Sequence, residues 1–299
     1  MWWEADGRGG GDGAGPGTVS VEVTAAVTST AANLTPRQIY SGGCVMERFD
    51  GQRFTDKVAL VTGAGSGIGR ATAERLAAEG AHIVACDIDE PGLAETAATI
   101  TTDGGSVVSV AGDISKPDEV ARIIAAPIEH HGRLDVLCNI AGILRFNNLA
   151  DITLDEWNLV ISINLTGTFL MCQQAMPHLL ESGGNIVNTA STAALAGHPW
   201  TAAYSASKGG ILAFSQGLAI EFGKRGVRTN VIAPGSVETP IQNEFFFPDG
   251  ADTALLRRIM AFDKARPASY VASVVAFVAS EDGAHMCGSV LRCDGGTLS

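Results

Sequence analysis

The octapeptide Thr62-Gly63-Ala64-Gly65-Ser66-Gly67-Ile68-Gly69 constrains this chain more than any other segment. It closes the run Lys57–Thr62, which reads as a buried strand, and opens Ile68–Gly80, which reads as a helix stopping on a glycine. A glycine-rich turn between strand and helix lets backbone N–H groups approach a pyrophosphate at the helix N-terminus. A side chain at those positions would block the approach or forbid the turn. In a chain with 36 glycines such a run is weak by itself, and its strand–turn–helix setting gives it weight.

From Lys57 onward, short apolar runs alternate with helical patterns. Further strands fit His82–Asp87, Val107–Ala111, Leu134–Asn139, Asn185–Thr189, Arg228–Ile232 and Val290–Cys293. Ser115-x-x-Asp118 and Thr153-x-x-Glu156 read as capping boxes that open two of the helices between them. The strand runs are apolar throughout rather than alternating, as strands covered on both faces require. The expected architecture is α/β: one doubly wound parallel sheet with helices on both faces, spanning residues 46–299. No repeat of solenoid length is visible.

The composition changes near residue 46. Gly7–Gly17 is glycine with small or polar residues, and Val19–Ala32 is Val, Thr, Ser and Ala with little bulk. Such a stretch buries too little apolar surface to offset its ordering entropy. Residues 1–45 are therefore expected to be a disordered tail or a mis-assigned start, with Met46 as the true initiation site.

The 299 residues suffice for one large α/β domain. The net charge of -12 disfavours nucleic-acid partners. Six cysteines without a C-x-x-C pair suggest reduced, mostly buried thiols. The histidines show no metal-ligand spacing with them, so no metal is expected. His130 and His131 are adjacent and are expected on a solvated face. No apolar run in the sequence approaches the roughly 20 residues needed to span a bilayer. The N-terminus lacks the basic and apolar regions of a signal peptide, so the expected location is the cytoplasm, with no membrane partner.

Two further features carry chemistry. The second strand ends at Asp87, roughly 20 residues past the glycine loop, where a carboxylate can bond ribose hydroxyls and would repel a 2′-phosphate. Ser66 offers no positive charge for that phosphate. Both point to NAD as the cofactor. Tyr204 and Lys208 stand four apart, on one face if the segment is helical. A free phenol has a pKa near 10, and a nearby ammonium should pull it down until the phenol can act as a base.

With these features in place, Asp56–Gly296 resembles the short-chain dehydrogenase/reductase family nearly end to end. The matching motifs are the TGxxxGIG loop, Asn139-Ile140-Ala141-Gly142, Asn164, Ser191, the Tyr204/Lys208 pair, Pro234-Gly235 and Thr239, in family order. Ile140 departs from the family's second Asn, and Lys264–Val271 is shorter than the family pattern. The resemblance implies a Rossmann-type fold and a catalytic set of Asn164, Ser191, Tyr204 and Lys208. Tyr204 would be the general acid/base, Lys208 would lower its pKa and hold the nicotinamide ribose, Ser191 would orient the substrate oxygen, and Asn164 would hold a water linking Lys208 to solvent. Gly63, Ser66, Gly67, Ile68, Gly69, Asp87, Asp113, Ile114, Asn139, Ala141 and Gly142 would line the adenosine side. Pro234, Gly235, Val237 and Thr239 would hold the nicotinamide end with Tyr204 and Lys208. The resemblance also implies a homodimer or homotetramer built on the helices around Leu159–Leu180 and Tyr204–Phe222.

The substrate is expected beyond the carboxyl ends of the strands, under a lid at about 240–262. Phe245, Phe246 and Phe247 suggest an apolar pocket, while Leu255, Leu256, Ile259 and Met260 have helical spacing suited to packing on the domain. Ala193, Leu195, His198 and Trp200 lie between Ser191 and Tyr204 and could reach the same pocket. The expected activity is hydride transfer between NAD and a small, hydrophobic secondary alcohol or ketone. A 3-oxoacyl-thioester reductase on the same frame is one alternative, which Asp87 fits poorly. A non-catalytic NAD-sensing protein is another, and the presence of Tyr204, Lys208 and Ser191 speaks against it.

Overall fold

A computed structural model describes residues 51–241, 247–252, 254–255, 260 and 264–299. The tail expected at 1–45 lies outside the described residues. So do most of the expected lid and two members of the triple Phe, Phe245 and Phe246.

Along Val58–Thr62 (β1) every residue is buried, yet the side chains serve two cores. Ala59 and Val61 belong to one apolar cluster, Val58 and Leu60 to the other. This is the period-two alternation of a strand with both faces covered, which is why the sequence shows an unbroken apolar run. The first core gathers Leu76 of the helix Gly67–Ala78 (α1) and Val275 of the helix Ala268–Ala279 (α7). The second gathers Ile123 of Pro117–His131 (α3), with Met171 and Leu179 of Gly167–Ser182 (α5).

The remaining strands are His82–Asp87 (β2), Ser106–Ala111 (β3), Val136–Asn139 (β4), Asn185–Thr189 (β5), Arg228–Pro234 (β6) and Val290–Cys293 (β9). With β1 they form a seven-stranded sheet in the order β3-β2-β1-β4-β5-β6-β9, every pairing parallel. The chain moves outward from β1 to β3, then returns to the other side of β1 as β4. That reversal opens a crevice at the carboxyl ends of β1 and β4. β6 runs two residues beyond its expected end, because Pro234 still pairs with Cys293.

A short pair, Val237–Glu238 (β7) with Arg266–Pro267 (β8), stands outside the main sheet. α7 begins directly after it at Ala268, so the shortened Lys264–Val271 segment is one strand step leading straight into a helix.

Thr153 caps Leu154–Ile161 (α4) as expected, accepting from the Glu156 N–H at 3.1 Å. The other expected capping box does not form. Pro117 occupies the first turn of α3, so Lys116 takes the cap position, and Ser115 instead donates its N–H to Asp113 Oδ1 at 2.8 Å. His131 is also placed differently from expectation. Its ring stacks on His82 at 4.9 Å, off the solvated face, while His130 stays exposed.

A π-helical segment, Ser162–Thr166, joins α4 to α5, so Leu154–Ser182 is one continuous helical stretch. By length and mean hydropathy (1.2) it is sufficient to cross a bilayer, which single apolar runs in the sequence did not suggest. In this fold Met171, Cys172, Ala175 and Leu179 bury it against the sheet as a core helix. Cys86, Cys138 and Cys172 are free and buried, and burial pushes each thiol up to about 12, which leaves them unreactive.

Candidate active site

The glycine loop reaches the cleft because its backbone is free to turn. Gly63 and Gly67 adopt φ of +70° and +52°, a region that side chains disfavour. A Cβ on Gly63 would also lie 2.9 Å from the Ala141 backbone, and one on Gly69 would collide with the Gly63 carbonyl. Thr62 ties this loop to the end of β4: its hydroxyl accepts the N–H groups of Ile140 and Ala141 at 3.0 and 3.2 Å. Ile140, where the family pattern has Asn, packs against the first apolar core.

At the start of α1, Ser66 sits in extended backbone and makes no side-chain cap, and the first turn carries no acidic residue. The N–H groups of that turn and the helix dipole are thus left for an anion in the cleft. This is the observation that fits a pyrophosphate here. Beside it, Asp87 accepts from the N–H of Gly65 at 2.8 Å and of Asp89 at 3.0 Å, which pins the carboxylate at the end of β2. Arg70 is committed to the Gly65 carbonyl, the Gly92 carbonyl and Glu95.

At the other end, Tyr204 and Lys208 share one face of the helix Ala202–Phe222 (α6), with Lys208 Nζ 5.7 Å from the Tyr204 ring centre. Lys208 is buried and donates to the Thr189 carbonyl at 2.8 Å, where β5 ends. Burial without a counter-ion lowers its ammonium to about 8. Ser191, just past β5, accepts the Ala193 N–H at 3.2 Å, and its hydroxyl acts on the phenol to lower its pKa.

The phenol departs from expectation. Burial raises the Tyr204 pKa, and the opposing influence is the Ser191 hydroxyl rather than Lys208. The ammonium donates to the Thr189 carbonyl.

Asn164 is completely buried in the π-helical turn. Its amide clamps the backbone of Ile143 from both sides, accepting its N–H at 2.8 Å and donating to its carbonyl at 2.9 Å. It also donates to Ser207 at 3.0 Å. A Cβ on Gly142 would fall 3.0 Å from Asn164 Oδ1 and 3.4 Å from Lys208 Nζ, so the glycine keeps open the space beside the ammonium.

These groups meet in one cleft of about 510 Å³. It runs from Ser66 and Asp87 past Asp113, Ile114 and Ala141 to Ser191, Tyr204, Lys208 and Thr239. Every expected site residue lines it except Asn164 and Asn139. Asn139 sits behind it, donating to Asn188 at 2.8 Å and to the Cys172 sulfur at 3.3 Å. The sequence reading missed Gly112, Ile143, Leu144, Phe146, Thr192 and Ser236, which also line the cleft. Position beyond a strand's carboxyl end was the only available signal for these, and it marks a loop without choosing a residue.

Phe146 lines the substrate side of the cleft and belongs to a cluster of three rings. Phe247 packs edge-on against Phe146 at 5.4 Å and against Trp200 at 5.9 Å. Trp200 holds φ at +59°, a conformation rare for a bulky residue, and its carbonyl accepts the Asn147 N–H at 2.8 Å. Leu255 and Met260, expected to pack onto the domain, are exposed.

The short chain dehydrogenase profile matches residues 57–247. Levodione reductase of Leifsonia aquatica is 37% identical over 253 residues, covering 82% of this chain and 95% of that protein. Among solved structures, a short chain dehydrogenase from Mycobacterium paratuberculosis bound to NAD superposes with a TM-score of 0.77 at 27% identity, covering 82% of this chain and 98% of its own. One from Burkholderia cenocepacia in complex with NADP gives 0.75 at 34% identity, covering 83% and 100%. A nicotinamide dinucleotide site on an oxidoreductase frame accords with the cleft described above, and the chain belongs to the short-chain dehydrogenase family.

Proposed function

We propose that this protein is an NAD-dependent oxidoreductase that interconverts a hydrophobic secondary alcohol and its ketone. The observation that carries the reading is the convergence of Ser191, Tyr204 and Lys208 on one cleft that extends to an uncapped helix N-terminus. Bound NAD supplies the hydride acceptor and, while oxidised, a positive charge near Tyr204. That charge would lower a phenol that burial holds high in the chain alone.

The roles then follow. Ser191 holds the substrate oxygen beside the phenol. Tyr204, ionised, takes the hydroxyl proton while the carbinol carbon releases its hydride and becomes a carbonyl. In reverse, Tyr204 donates the proton to the oxygen as the carbon gains hydride. Lys208 holds the nicotinamide ribose, and Asn164 fixes the Ile143 loop and the space beside Lys208. The first-turn amides of α1 hold the pyrophosphate, and Asp87 bonds the adenosine ribose.

Relatives with either cofactor exist, so the choice of NAD rests on this chain's own residues. The Asp87 carboxylate would repel a 2′-phosphate, and Arg70 is already committed elsewhere. Ile143, Leu144, Phe146 and Ile241 on the cleft lining favour a hydrophobic substrate. Exposed Leu159, Phe169 and Ile220 support self-association as a dimer or tetramer.

The test is Tyr204→Phe, followed at the reduced-nicotinamide absorbance with a panel of hydrophobic secondary alcohols and ketones. Turnover should fall by about a thousandfold while NAD binding persists. Turnover at the wild-type rate would overturn the role given to Tyr204.

A further inference from the structure

His198 lines the same cleft as Ser191 and Tyr204, on the connection between them. Its backbone is fixed, because Thr201 donates its hydroxyl to the His198 carbonyl at 3.1 Å. Its ring is not. Nε2 is shielded from solvent and has no hydrogen-bond partner, and the ring makes no hydrogen bond to any described residue. His198 lines the cleft, so its ring is where a group entering the cleft would meet it.

The surroundings say what that group should be. Burial lowers the imidazole below its ordinary pKa, so at neutral pH it is uncharged and can both donate and accept. That suits a neutral oxygen rather than a carboxylate or phosphate. The same cleft is lined by Ile143, Leu144, Phe146 and Ile241, which recognise apolar shape without hydrogen bonding. Ser191 and Tyr204 are assigned to the oxygen that reacts. His198 is a further polar group on the same lining, with a ring nitrogen that has no partner.

We propose that His198 is a specificity residue that binds a second, non-reacting oxygen of the substrate, so that the preferred substrates are apolar ketones or alcohols carrying a further hydroxyl or carbonyl group. This rests on the dehydrogenase reading above and refines its substrate class. Filling an unpaired buried nitrogen rewards the oxygenated substrate, whereas a plain hydrocarbon analogue leaves the nitrogen unsatisfied.

The test compares size-matched ketones with NADH: 4-methylcyclohexanone against 2-, 3- and 4-hydroxycyclohexanone. The wild type should favour at least one hydroxyketone over the methyl ketone by about tenfold or more in kcat/KM. His198→Phe should bring that ratio to within about threefold of one, and His198→Gln, which keeps a donor and an acceptor, should restore part of it. Binding of NAD by each variant shows that it is folded. A wild-type ratio near one, or an undiminished ratio in His198→Phe, overturns the assignment of His198 and leaves the dehydrogenase reading standing. A wild type that binds NAD but turns over no ketone in the panel overturns both.

Discussion

At the phosphate end of the cleft the working groups are backbone: the turn through Gly63 and Gly67 and the open first turn of α1. At the substrate end they are side chains on loops that meet only in three dimensions: Leu144 and Phe146 after β4, His198 after β5, Ile241 after β7. The first end is held by the sheet itself, since β1 is buried in both cores and Thr62 ties it to β4. The second is held by ring contacts and by bonds between and within loops, among them Asn147 N–H to the Trp200 carbonyl and the Thr201 hydroxyl to the His198 carbonyl. A site made of backbone has few ways to vary, because any side chain collides. A site made of loop side chains can change residue by residue while the scaffold stays as it is.

This difference can be broken most forcefully at Gly69. Gly69→Ala places a methyl group against the Gly63 carbonyl, so the loop must move. The dinucleotide Kd should rise by about a hundredfold or more, an effect that calorimetry would detect. Binding at wild-type affinity would show that the phosphate end tolerates variation as the substrate end does.

A smaller effect belongs to Asp87, a side chain within the backbone-built half. Asp87→Ala should shift the NAD-to-NADP ratio of kcat/KM towards NADP by about tenfold, through loss of ribose bonds and of repulsion. Full discrimination in that variant would place cofactor choice elsewhere in the cleft.

An effect of the same size belongs to the titration of Lys208. With the ammonium lowered to about 8, it is charged below that pH and neutral above it. On the proposed reading, kcat/KM for ketone reduction should fall about tenfold between pH 7 and pH 9, because the charged form is the one that binds. A flat profile over that range would remove the charge of Lys208 from the account.

Much of the scaffold was readable in advance for a simple reason. A strand covered on both faces is apolar along most of its length, as Val58–Val61 of β1, Ile83–Cys86 of β2 and Val136–Cys138 of β4 are. Tyr204 and Lys208 were readable because a helix puts residues four apart on one face, and α6 does so. The capping box at Ser115 misled because Pro117 moved the helix start by one residue. Spacing gives Tyr204 and Lys208 a shared face and says nothing of burial, which raises the phenol and lowers the ammonium.

The sequence by itself determined the order of strands and helices, the turn that only glycine allows, and the pairing of Tyr204 with Lys208. These depend on periodicity and backbone freedom, which are local properties of the chain. Only the tertiary structure decided that Asn164 clamps Ile143 through a π-helical turn, that Asn139 sits behind the cleft, that Trp200 is held at a positive φ between neighbouring loops, and that a His198 nitrogen is buried without a partner. Each of these arises where residues far apart in the chain come within a few ångströms, and burial and contact there are set by the packing of the whole domain rather than by any one segment.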